Sequence, residues 1–109
     1  MKEIKIYVGL NDSETMKQEY STERYIRILE QVCKNYHVAF SFSVAQGGYF
    51  HEDGRYTQET SLVLSLIDSE EKAVSEIAND LCVFFHQESV LITEDNVRAY
   101  YVNGMIDEK

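Results

Sequence analysis

Three features of the sequence predict a ferredoxin-like α+β two-layer sandwich. Apolar residues alternate in Ile4–Leu10, Val38–Ala45 and Tyr56–Ile67, the period of strands with one buried face. Two stretches between them carry apolar residues at helical spacing instead. The resulting order, β-α-β-β-α-β-β, packs through right-handed crossovers with both helices on one face of an antiparallel sheet. With 109 residues, 44% of them apolar, and no proline, the chain reads as one domain with no linker.

In the first strand Ile4, Ile6, Val8 and Leu10 alternate with Lys5, Tyr7 and Gly9. Asn11 to Glu19 is polar, a long loop for a chain this small and a candidate lid. Ser21 suits a helix N-cap and Glu23 the first turn. Tyr25, Ile28, Leu29, Val32 and Tyr36 then form an apolar stripe that stops near Asn35.

The second strand, from Val38 to Ala45, is apolar on one face and small on the other, and Gly47-Gly48 permits a bulge. Glu52-Asp53-Gly54 is a turn signal, and a long third strand follows from Tyr56 to Ile67. Ser69 is the expected cap of the second helix, with Val74, Ile77, Leu81, Phe84 and Phe85 as its core stripe. A short strand around Val90 and Ile92, a turn at Glu94–Asn96 and an extra C-terminal strand over Val97–Val102 complete the expectation. Residues 103–109 read as a frayed tail.

The formal charge of −9 argues against direct nucleic-acid binding, which needs basic surface to displace counterions. No apolar run approaches membrane-spanning length and no signal-peptide core opens the chain, so a soluble, cytoplasmic protein is expected. Cys33 and Cys82 fit buried thiols better than a zinc motif, a disulfide framework or a nucleophile. Glycine-rich phosphate or dinucleotide motifs are lacking, so no cofactor is expected.

The open sheet face would carry Tyr7, Ser41, Ser43, Glu59 and Ser61, and such a face suggests a homodimer or larger assembly. Glu59 lies among hydroxyl residues and can accept hydrogen bonds from a ligand, act as a base, or fix the 87–90 turn. His51, Glu52 and Asp53 read as a solvated turn rather than a metal site, because three consecutive residues cannot converge on one ion. His37 and His86 read as helix-end residues. Eight tyrosines, among them Tyr20, Tyr49, Tyr56, Tyr100 and Tyr101 near loops or strand ends, offer stacking surface for interfaces or planar ligands.

Ala45-x-Gly47-x-Tyr49, Gly54, Glu59-x-Ser61 and Phe85-x-Gln87-Glu88-Ser89-Val90-Leu91 together resemble a family of small bacterial and phage proteins known as a domain of unknown function. Tyr49 stands where that pattern carries tryptophan. The resemblance implies an α+β fold and supplies no activity.

The expected pocket is Tyr7, Tyr49, His51, Tyr56 and Glu59, supported by Gln87 and Glu88. The preferred function is a non-enzymatic oligomer that binds a small planar or phosphorylated ligand, as in sequestering a nucleotide-like defence signal. Two alternatives stand beside it. One is an acidic inhibitor of a host protein, and the other a small α+β-barrel-type enzyme with Glu59 as base.

Overall fold

Ile4, Ile6, Val8 and Leu10 are all buried, so the first alternation marks a strand's inner face as expected. The computed structural model describes residues 1–104 in six elements. They are β1 (Lys2–Gly9), α1 (Thr22–Asn35), β2 (Ser41–Phe50), β3 (Tyr56–Ile67), α2 (Glu71–Phe84) and β4 (Leu91–Asn96). The sheet order is β2-β3-β1-β4 with every neighbouring pair antiparallel, which is the ferredoxin-like arrangement.

One core joins the even-numbered residues of β1 and β3 to both helices: Leu62, Leu64 and Leu66 meet Tyr25, Leu29, Val32, Val74, Ile77 and Leu81. Both helices therefore cover the same sheet face. Tyr25 and Phe85 close the core edge-to-face, with ring centroids 5.0 Å apart. Odd-numbered strand residues lie on the opposite, open face, where Tyr7 and Ser43 both oppose Val63 and Ser41 opposes Ser65.

Ser21 caps α1 as expected, its Oγ accepting from Arg24 N–H at 3.3 Å. Each helix ends in a Schellman motif built on a histidine. His37 (φ 55°) donates its N–H to Lys34 O, and Val38 N–H reaches Cys33 O. His86 (φ 52°) donates to Val83 O, and Gln87 N–H reaches Cys82 O. Their main role is thus to stop the helix in a left-handed conformation that glycine usually takes.

Several boundaries differ from expectation. Glu70, not Ser69, occupies the N-cap of α2 and makes no side-chain capping bond. Phe84 is 57% exposed; one residue on, Phe85 takes the core position. No bulge forms at Gly47-Gly48, since β2 and β3 pair without interruption from Ser41–Ser65 to Phe50–Tyr56. The expected turn at Glu94–Asn96 lies inside β4, which pairs with β1 over its whole length. There is no strand over Val97–Val102, and the last bond to this side of the sheet is Val97 N–H to Met1 O. Of the expected frayed tail, 105–109 lies outside the described residues.

Candidate functional site

The site begins with the room above Gly9. Glu59, on the open face of β3, opposes Gly47 of β2, and its neighbour Ser61 opposes Gly9 of β1. A Cβ on Gly9 would stand 2.5 Å from the Glu59 carboxylate carbon. The missing side chain is what lets the carboxylate lie against the sheet.

Glu59 Oε2 accepts the backbone N–H of Asn11 at 3.0 Å. The alternative expected from sequence, a bond to the 87–90 turn, is therefore replaced by one to the first loop. Asn11 is itself held from three sides. Its Nδ2 donates to Gln58 O at 3.2 Å, its carbonyl accepts Gln87 Nε2 at 2.6 Å, and it bridges to Gln18.

Residues 11–20 fold into a tight hairpin, not a loose lid. Asp12 Oδ1 accepts the N–H groups of Glu14 (2.8 Å) and Thr15 (3.3 Å), and Asp12 N–H reaches Lys17 O. Asp12 Oδ2 meets His86 Nδ1 at 3.1 Å, and Ser13 N–H donates to His86 O. The N–H of Glu14, then those of Thr15 and the imidazole of His86, hold the Asp12 carboxyl below its ordinary range.

Between this hairpin, the sheet and the exit of α2 lies a cleft of about 320 Å³. Asn11, Asp12, Ser13, Met16, Tyr49, Glu59, Gln87, Glu88 and Ser89 line it. Asp12, Glu59 and Glu88 bring three carboxylates to the lining, which contains no lysine, arginine or histidine; the Asp12 carboxylate is engaged by His86 from behind. Glu59 Oε1 has no protein partner among the described residues.

Four of the seven expected pocket residues meet in this cleft: Tyr49, Glu59, Gln87 and Glu88. His51 stands just outside, its ring 5.1 Å from that of Tyr49 and its Nε2 2.8 Å from Thr57 Oγ1. Tyr7 shares the sheet face but lies two positions along β1 from Gly9, off the lining. Tyr56 is on the other face of the hairpin, where it pairs with Phe50 at 5.0 Å. Its spacing of three residues from Glu59 along β3 is odd and so puts the two on opposite faces, Tyr56 sharing parity with the core leucines.

Sequence reasoning missed Gly9, Asn11, Asp12 and Ser13 as site residues. The polar Asn11–Glu19 run was the available signal, but nothing local says that it folds onto Glu59, 48 positions away. Cys33 is buried, and desolvation pushes its thiol up to about 11, which suits a core residue rather than a nucleophile. Among the described residues no group of His, Cys, Asp and Glu has metal-binding geometry, and no helix is long and apolar enough to cross a membrane.

No protein-family model matches this sequence, and no curated protein matches it either. Solved structures do share the fold. A phage SAM lyase in complex with S-methyl-5'-thioadenosine aligns at TM-score 0.65 and 23% identity, over 86% of this chain and 79% of that one. The periplasmic divalent cation tolerance protein CutA from Archaeoglobus fulgidus aligns at TM-score 0.57 and 12% identity, over 93% and 88%. A DUF3240 family protein from Shewanella baltica follows at 0.51 and 8%, over 97% of each chain. What these proteins share with the chain is architecture.

Proposed function

We propose that the Glu59 cleft binds S-adenosylmethionine and that the protein cleaves it to S-methyl-5'-thioadenosine. The observation that carries this reading is the charge of the lining: Glu59 and Glu88, with Asp12 beside them paired to His86, and no lysine or arginine. Such a cleft repels phosphate and attracts a cation, so a phosphorylated ligand, including a nucleotide-like signal, is disfavoured. A sulfonium fits. At an effective dielectric of about 20, opposite charges 4 Å apart attract by roughly 4 kcal/mol. Tyr49, 40% exposed at the cleft wall, offers its ring to the adenine. A phage SAM lyase, similar in fold and in complex with S-methyl-5'-thioadenosine, supports the same choice.

The chemistry asks little of the protein. Breaking the Cγ–S bond sends its electron pair to sulfur and leaves a neutral thioether. The substrate's own carboxylate oxygen closes onto Cγ, giving a lactone with no water consumed. Positive charge at sulfur disappears as the bond breaks, so a carboxylate beside it favours binding more than cleavage. Glu59 therefore serves to hold and orient the substrate. Rate comes from holding the substrate folded on itself, where effective molarities reach about 10⁵ M or more.

We infer further that the working form is an oligomer joined along β2. This edge strand belongs to a run of thirteen uncharged residues, Val38–Phe50, in a chain of charge −9. It has no proline, lysine or bulge to prevent pairing with another strand. Phe50 (73% exposed) and Tyr56 (55%) extend the apolar surface at its end. A strip without charge is where like-charged copies can meet.

Incubation with S-adenosylmethionine followed by mass spectrometry tests the reading. Thioadenosine in excess over protein supports the lyase. Intact S-adenosylmethionine retained at one per subunit returns the protein to the sequestering reading, and neither result overturns the assignment of the cleft.

A further inference from the structure

We propose that Gln87 is a positioning residue, which holds Asn11 so that its N–H fixes the Glu59 carboxylate. Gln87 Nε2 lies 2.6 Å from Asn11 O and 3.3 Å from Phe85 O. Both neighbours are carbonyl oxygens, which only accept, so the group between them must be the amide NH2 and not its oxygen. Both of its hydrogens are thereby used. Gln87 thus does not donate to a ligand in the cleft; its free group is the acceptor oxygen.

The backbone prepares this. The Schellman motif that ends α2 ties Gln87 N–H to Cys82 O, and Gln87 O in turn accepts the Cys82 thiol at 2.9 Å. The half-buried side chain is thereby aimed at the loop rather than left to sample solvent. Asn11 is reached from one side by Gln87 and donates on the other to Glu59 Oε2 at 3.0 Å. The end of α2 sets the carboxylate through one intervening residue. Glu59 Oε1 is left over for the ligand.

The consequence concerns specificity. Glu59 Oε1 and the Gln87 oxygen both present acceptors, so the cleft selects ligands that bring donors or positive charge. This part rests on the S-adenosylmethionine reading; the positioning of Glu59 does not.

The test uses the full chain with Gln87→Met, which keeps the side-chain length and removes the donors. The amide signal of Asn11 is followed by ¹H–¹⁵N NMR without ligand, beside the melting temperature and S-adenosylmethionine affinity. An N–H that donates to a carboxylate resonates downfield, and this signal is expected to move upfield in the variant while the protein stays folded. Affinity is expected to fall about tenfold or more, the usual effect of losing a hydrogen bond to a charged group. An unmoved Asn11 signal overturns the positioning role. A moved signal with unchanged affinity leaves the positioning role standing and overturns Glu59 as the ligand's anchor. Gln87→Glu replaces the donor with a carboxylate at pH 8 and serves if the methionine variant does not fold.

Discussion

Gly9 and Glu59 share one volume on the open face of the sheet: the carboxylate of one fills the space where the other would carry a Cβ. Gly9→Ala forces these groups apart. The obstruction is the far end of a flexible side chain, so Glu59 swings away and the backbone keeps its pairing. The expected result is a folded protein, within about 1 kcal/mol of the parent, whose S-adenosylmethionine affinity falls about tenfold or more. Urea unfolding beside calorimetric titration measures both.

His37 closes α1 at φ 55°, a conformation costly for any residue with a Cβ. Unlike His86, it has no side-chain partner among the described residues and sits away from the cleft. His37→Gly is expected to stabilise the fold by about 1 kcal/mol, seen as a higher urea midpoint at unchanged slope. A lower midpoint would contradict the Schellman reading of this helix end.

The fold was largely legible in the sequence because each core strand alternates cleanly and each helix has one apolar stripe. Glu59 was legible too, as a charge in a strand of hydroxyl and apolar residues. Its partners were not. Asn11 looks like any loop asparagine, and what makes it part of the site is the hairpin geometry set by Asp12 and the anchor from Gln87. The last strand was misread because Glu94, Asp95 and Asn96 have turn propensity, which pairing with Lys2, Glu3 and Ile4 overrides.

Asp12 links acid stability to the cleft wall. Its carboxyl is held below the ordinary value of 3.8, first by the N–H of Glu14. A depressed folded-state value means its stabilisation is complete above the unfolded value and fades as pH drops through the folded one. The 11–20 hairpin is therefore expected to keep its order from pH 7 to pH 5 and to lose it below about 3.8. Hydrogen exchange at Ser13 and Met16, whose N–H groups bond His86 O and Asp12 O, reports this. Loss of protection already at pH 5 would contradict it.

The β2 edge makes a separate claim. Val44 is 47% exposed and Phe50 73%, so Val44→Lys with Phe50→Glu leaves the core intact. The parent is expected to run as an oligomer by light scattering and the double variant as a folded monomer. A monomeric parent, or an oligomer untouched by both changes, would exclude this edge as the contact.

The central claim is that Glu59 anchors S-adenosylmethionine in an acidic cleft. Its most direct test is a mass-spectrometric time course of S-adenosylmethionine with the parent and with Glu59→Gln, side by side. With substrate well below saturation, many turnovers to S-methyl-5'-thioadenosine are expected from the parent and a rate lower by about tenfold or more in the variant, whose neutral amide no longer attracts the sulfonium. Equal rates in the two proteins, or a parent that neither binds nor consumes S-adenosylmethionine, would contradict it.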